Sequence, residues 1–562
     1  MAPRFVVLLT VSLTLCLPFA VLAQNAKPVP DNPDLIAADQ LYKAGKFAEA
    51  ADKYQALLKI DAKLVAAEAG LIESLLREQK IDEASAEAVK ALAAQPNSAA
   101  LSAAMGDVQL RLAEMPEAEK SYRKALQIDS QELRAYLGLA RLYQAYSLYR
   151  HSYDSLKAAY QVAPNDPEVQ RWWFNRLSRR ERIAAIEAYL AGPHPDDPEE
   201  TEYLRHYLEF LKATVDKPVH ACRLVSKVEQ TDTKLQPMLR DPRHIVGYGL
   251  AVKLNNRNSH LLLDTGASGI LVGRKGAEKA GLTRISDIRL AGIGDKGLQG
   301  GYVAVADHIR VGELEFADCV VTVSDRASVT DEDGLIGADV FSSYLIDIDL
   351  PAEKLRLSPL PKRPDETIAP TALNSEGESR SNPDDTAEGA GDQKAESSGD
   401  ASKTAKVAPA PRLPKDRYVA PEMKGWTPVF HFGHQLLIQT VVNDSKPMLF
   451  LIDTGSSLNL LSTRAGRQVT KVSSDPNVHV KGLSGTVADV YRADKATLRF
   501  SHFAQKNQDI VSFDLSKISK HTGTEVSGVL GFELLRMLQV KIDYRDGLVD
   551  FAYDPSRWQS AR

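Results

Sequence analysis

Between residues 31 and 166 small and apolar side chains return three and four positions apart, and the whole pattern recurs every 34 residues. Ala50, Ala84, Ala118 and Ser152 begin the face; Tyr54, Ala88, Tyr122 and Leu156 follow four later, and Leu57, Ala91, Ala125 and Ala159 three after that. Spacings of three and four place these positions on one side of a helix, so the stretch predicts one helix-pair unit used four times. Pro96 and Pro164 close the second and fourth units. Helical patterning continues through EETEYLRHYLEFLKA to about 214. After His220 the period shortens to alternating runs of Val, Leu and Ile punctuated by Gly, which predicts strands to about 360 and again from about 426 to 556.

The two strand-rich halves carry the same landmarks in the same order. LLLDTGASGILV, 261 to 272, is matched by FLIDTGSSLNLL, 450 to 461. Each acid precedes a glycine-rich turn, with Gly292 and Gly294 in the first half and Gly482 and Gly485 in the second. Gly334-Leu335-Ile336-Gly337 then corresponds to Gly528-Val529-Leu530-Gly531, and Ile348-Asp349 to Ile542-Asp543. One Asp-Thr-Gly arises by chance in roughly one chain in ten of this length, but four ordered landmarks mark a duplication. A carboxylate between apolar strands is costly unless something pairs with it, so Asp264 and Asp453 are the natural partners.

At 562 residues the chain is too long for one core. The boundaries read as a leader at 1–23, repeats at 31–166, a helical cap or connector at 167–219, a first β lobe at 220–360, a linker at 361–425 and a second lobe at 426–556. The linker from Pro361 to Lys415 lacks aromatic residues and is poor in apolar ones, so it is expected to be a disordered tether of roughly 40 to 45 Å that lets the lobes meet. In QRWWFNRLSRRER, 170 to 182, the aromatics are expected against the last repeat and the Arg residues in water. The apolar run Phe5 to Leu22 ending at Ala23 fits an export signal cleaved before Gln24, with an uncleaved anchor as the alternative. Cleavage would leave an exported, periplasmic or secreted protein with no membrane span.

Sixty-nine basic residues against 74 acidic ones give a net charge of −5, which supplies no field for nucleic acid. No Cys/His cluster has metal-ligand spacing, and neither a nucleophile elbow nor a phosphate loop is present. No metal or other cofactor is expected. Beyond the leader only Cys222 and Cys319 remain, too few for a disulfide framework, and their spacing leaves their pairing open.

The 34-residue small-aromatic-small unit resembles the tetratricopeptide repeat, whose stacks present a groove to a peptide or protein. Each β half resembles a retropepsin-like aspartic protease lobe. The fold class expected is thus an all-α tetratricopeptide-like solenoid followed by two all-β retropepsin-like lobes. The resemblance implies hydrolysis of peptide bonds by an aspartic endopeptidase whose catalytic Asp264 and Asp453 share one proton and activate water. It implies that Thr265 and Thr454 bond across the lobes, and that Gly266 and Gly455 allow the sharp turn. The Ser456 hydroxyl, which has no counterpart at Ala267, is expected to favour an ionised Asp453. Gly292, Ile293 and Gly294, with Gly482, Leu483 and Gly485, match flaps that cover an extended peptide. The lobes are expected to form a pseudo-dimer within one chain, with a protein partner or substrate on the repeats. A homodimer pairing like lobes, and a non-catalytic peptide-binding scaffold, are the competing accounts.

Overall fold

The computed structural model describes residues 32–216, 222–241, 244–290, 292, 297–325, 333–364, 372–373, 413–476, 478–482 and 484–556. The leader 1–23, most of the linker, and Ile293, Gly294 and Leu483 lie outside the described residues.

Four helix pairs form a tetratricopeptide-like array: α1 (Pro33–Lys43) with α2 (Phe47–Ile60), α3 (Val65–Arg77) with α4 (Ile81–Ala94), α5 (Ala99–Arg111) with α6 (Met115–Ile128), and α7 (Leu133–Ala145) with α8 (Tyr149–Val162). Ala50, Ala84, Ala118 and Tyr122 are fully buried, and Tyr54 nearly so. Each Tyr fits because a glycine on a neighbouring helix leaves room for its ring: Gly70 for Tyr54, and both Gly106 and Gly138 for Tyr122. Each hydroxyl reaches an acid, Tyr54 to Asp39 at 2.6 Å and Tyr122 to Asp107 at 2.8 Å. First helices also pack on the next first helices along the array, α1 on α3, α3 on α5 and α5 on α7, which places them on the inner side of the curve.

Beyond the array come α9 (Pro167–Trp173), α10 (Arg179–Ala191) and α11 (Pro198–Thr214). Trp173 stacks on Tyr160 at 4.3 Å, and the Arg141 guanidinium lies over Trp172. The Arg residues of this segment depart from the expectation of a purely solvated face. Arg182 donates to the Phe174 carbonyl and Tyr207 hydroxyl, and Arg179 to the Thr214 carbonyl, so two of them tie the connector helices together while Arg180 stays exposed.

Both lobes use one strand plan. In the first, Arg257–Asp264 runs parallel to Gly334–Gly337, which pairs antiparallel with Ile270–Gly273. In the second, Met448–Ile452 is parallel to Gly528–Leu530, which pairs antiparallel with Leu460–Ser462. The lobes join through their last hairpins: Tyr344–Asp349 pairs with Gln539–Asp543, Asp347 facing Lys541 at the centre. Equivalent residues of the two halves therefore meet about an approximate two-fold axis, and the pairing is made within one chain. Cys222 and Cys319 form a disulfide that fixes the strand at the start of the first lobe.

The two ends of the linker are folded, while residues 365–371 and 374–412, where the tether is expected, lie outside the described residues. Arg363, on one side of it, and Tyr418, on the other, both donate to the fully buried carboxylate of Asp546, while Arg417 donates to the carbonyl of the same residue. Residues 413–425 also carry the buried Ala420 and Met423. Both ends thus belong to the folded body.

The repeats are docked on the lobes. Leu139, Leu142 and Tyr143 share a core with Phe430, Leu437 and Leu449 of the second lobe. The Thr524 hydroxyl donates to the Leu110 carbonyl at 2.7 Å, and Asp416 accepts from the backbone of Arg150 at 2.9 Å. Against the first lobe, Leu204 and Leu208 of α11 pack with Val303 and Val320.

Candidate active site

Asp264 ends one apolar strand and Asp453 follows another; the parallel partner of the first ends at Gly337, and that of the second ends at Leu530, just before Gly531. The turns after them interlock. Thr265 Oγ1 donates to the Ile452 carbonyl at 2.8 Å and accepts from Thr454 N at 3.0 Å; Thr454 Oγ1 donates to the Leu263 carbonyl at 2.7 Å and accepts from Thr265 N at 3.1 Å. Both threonines are almost fully buried. Each hydroxyl thereby satisfies an amide and a carbonyl of the opposite lobe.

The glycines are placed by close approach. Neither Gly266 nor Gly455 adopts positive φ. A Cβ on Gly266 would lie 2.6 Å from Cγ of Asp453, and one on Gly455 would overlap Cγ of Asp264. Each glycine thus makes space for the other lobe's acid. We expect Gly455→Ala to cost roughly 1–3 kcal/mol of stability by overpacking and to separate the carboxyl groups. Urea unfolding together with peptide turnover checks it; wild-type values in both would refute the close-packing account.

The two acids contact each other and differ. Burial, then the neighbouring Asp453 charge, pushes Asp264 well above the usual carboxylate range. Burial also raises Asp453, but a hydrogen bond from Asp264 and the amides of Ser456 and Gly455 oppose the rise. Those amides lie 3.0 and 2.8 Å from Asp453 Oδ1, and Gly266 N lies 2.9 Å from Asp264 Oδ1. These opposed influences favour a proton on Asp264 over one on Asp453, and the two acids titrate as one pair. The Ser456 hydroxyl, expected to serve Asp453, instead donates to the Leu458 carbonyl at 2.9 Å, and only its backbone N–H reaches the carboxylate. Ala267 N–H likewise lowers Asp264.

Behind the loops stand groups that the motifs did not single out. Buried Asp339 accepts from Ser268 Oγ and Gly269 N, each at 3.0 Å, bracing the first loop. Asn459 does the corresponding work in the second, accepting from Gly531 N at 2.9 Å. Gly337 and Gly531 pack against backbone of Ala267 and of Ser456 and Leu458. His434, on the second lobe, donates from Nε2 to the Gly266 carbonyl at 3.2 Å, and burial pulls its pKa down to about 4. The short Gly337-Ala-Asp339 spacing was a usable signal for the first brace; nothing local marks His434.

Burial raises the Asp339 pKa to about 7. Its folded value lies above the ordinary one, so its contribution is complete below about pH 4 and is lost as pH rises through about 7. Asp339→Asn, neutral throughout, should match wild type at pH 4 and melt at least about 2–4 °C higher at pH 8. Calorimetry at the two pH values checks this, and an equal offset at both would refute it.

The glycine-rich turns are not equivalent. In the first lobe Thr283–Leu290 and Gln299–Val311 form a long hairpin leading to an exposed Gly292. In the second, Gly482 pairs with Gly485 in a short turn, but Val480 and Val487 beside it pack on the core shared with the repeats and Ser484 is buried. This second turn lies against its lobe, unlike the matched arm expected from sequence. Among the described residues no group of side chains has the makings of a metal site, and no helix is long and apolar enough to cross a membrane.

Residues 250–340 and 438–534 each match the family model described as aspartyl protease. Among solved structures, the aspartic proteinase from Irpex lacteus aligns over 59% of this chain and 100% of its own at 12% identity, TM-score 0.32. A tetratricopeptide repeat protein from Parabacteroides merdae aligns over 34% of this chain and 75% of its own at 18% identity, TM-score 0.23. The myosin IB heavy chain of Dictyostelium discoideum is 28% identical over 106 residues, 18% of this chain but only 10% of that protein's length.

Proposed function

From the premise that the chain carries tandem aspartyl protease lobes behind tetratricopeptide-like repeats, we propose that it is an aspartic endopeptidase. The observation that carries this reading is the crossed seating of the two Asp-Thr-Gly turns, which brings Asp264 and Asp453 into contact. In this reading Asp453 is the general base that takes a proton from a water between the acids, and Asp264 donates its proton to the carbonyl oxygen of the scissile peptide. The attacking oxygen forms a bond to the carbonyl carbon, giving a tetrahedral gem-diol. The proton on Asp453 then passes to the leaving nitrogen as the C–N bond breaks, and Asp264 recovers its proton from the gem-diol. No covalent enzyme intermediate forms.

In this reading the first glycine-rich hairpin pairs strand-like with an extended substrate. Export through cleavage after Ala23 belongs to the same proposal, as does recruitment of a protein substrate or partner by the repeats. Digestion of a peptide library between pH 3 and 8, with a pepstatin-type inhibitor as control, tests the activity. Inhibitor-sensitive internal cleavage supports it. Binding of peptides without cleavage at any pH would replace it by the scaffold reading.

A further inference from the structure

The inner side of the repeat array already has an occupant. The extended stretch Gly192 to Asp197, between α10 and α11, enters it with Pro195 buried. Arg77, on the first helix of the second repeat, donates to the Pro195 carbonyl at 2.6 Å and pairs with Glu200 at 3.1 Å. Gly45, at positive φ, would place a Cβ 3.2 Å from the Asp196 carbonyl, so the first repeat also gives it room. Asp196 accepts from the Tyr189 hydroxyl at 3.0 Å and faces Arg171 at 3.6 Å, and Asp197 accepts from Lys520 of the second lobe. Three acids of one short segment thus meet three cations from the repeats, the connector and a lobe. The other inner-face guanidiniums are already engaged: Arg134 with Glu73 and Asp107, Arg141 with Glu168.

The same segment runs directly into α11, and α11 lies on the first glycine-rich hairpin. Leu204, Leu208 and Leu211 share a core with Val303 and Val320, against which Ile285 and Ile288 also pack. Arg289, one residue before the end of the hairpin's first strand, pairs with Glu202 at 3.1 Å. A continuous set of contacts therefore connects the repeat groove with the hairpin stem.

We propose that Gly192 to Glu200 is a tethered ligand of the repeat groove, and that a protein partner presenting an acidic, proline-containing extended segment displaces it and loosens the first hairpin through α11. The link to substrate access rests on the protease reading; the displacement does not. Tethering gives the chain's own segment an effective concentration on the order of millimolar, so a short free peptide competes weakly until the tether is weakened, whereas a partner displaces it by binding more tightly than the peptide alone. Asp196→Asn, Asp197→Ser and Glu200→Gln together do this while keeping a capping residue and its N3 partner on α11.

The probe is a fluorescent peptide of the chain's own sequence from 191 to 202. In an Asp264→Asn background, where hydrolysis plays no part, it should bind the triple variant at least about tenfold more tightly than the parent, and adding Arg77→Glu should abolish binding. Amide hydrogen exchange over 283–290 should quicken in the triple variant. Equal binding to parent and triple variant, no binding to either, or unchanged exchange in that strand would each overturn the proposal. If the triple variant does not fold, Arg77→Gln loosens the same contact from the groove side: faster exchange over 283–290 supports the proposal and unchanged exchange overturns it. Loss of hydrolysis in the wild type would count against the protease reading alone, because neither binding nor exchange depends on turnover.

Discussion

Asp264→Asn and Asp453→Asn should each reduce peptide hydrolysis by about 10³-fold or more, since each removes a group that moves a proton in the reaction. If both acids of one chain form the site, either single change suffices, and mixing the two variants should restore nothing when gel filtration shows monomers. Substantial activity in either variant would sink the one-chain dyad. The wild-type profile should be a bell: protonation of Asp453 removes the base on the acid side, and loss of the shared proton from Asp264 removes the acid on the alkaline side. Stability gives an independent sign. Both folded pKa values are raised, so the contribution is full below the ordinary carboxylate value and declines as pH rises through the folded ones. Asp264→Asn, which cannot ionise, should therefore be less destabilised than wild type by a shift from pH 4 to pH 8, as read by urea unfolding.

The fold class and the paired acids were legible because their signals are local and repeated. A 34-residue period records a helix pair, and a duplicated Asp-Thr-Gly with downstream glycines records a lobe, without knowledge of what either packs against. The contacts between those units were not legible. Leu139, Leu142 and Tyr143 lie inside the predicted repeats, but periodicity does not say that the second lobe covers them. Arg363 and Arg417 stand in polar sequence that reads as solvated, yet both are drawn to Asp546 by the closure of the linker ends. The acidic stretch before α11 likewise reads as an exposed helix start, and only the position of Arg77 shows that it fills a groove. Long-range partners of charged residues leave no spacing rule in the chain.

Thr454→Val should cost roughly 2–5 kcal/mol, the sum for one amide and one carbonyl left buried without partners. Valine keeps the shape of threonine, so packing changes little and the loss isolates the hydroxyl's two bonds, to Thr265 N and to the Leu263 carbonyl. Thr454→Ser, which retains the hydroxyl, should recover most of it. Because those bonds set the separation of the two acids, turnover should fall with stability, by about 10²-fold if the turns drift by about 1 Å. Thr265 keeps its own two bonds in the single variant, so a Thr265→Val and Thr454→Val double variant should lose more than either alone. Their contact makes simple addition the wrong expectation: once one turn has drifted, the second hydroxyl has less geometry left to hold, and the combined loss should fall short of the sum. Urea unfolding and kcat on all four variants decide the matter. Wild-type stability and turnover in Thr454→Val would mean that the shared sheet beneath, where Asp347 faces Lys541, positions the acids without the crossed threonines.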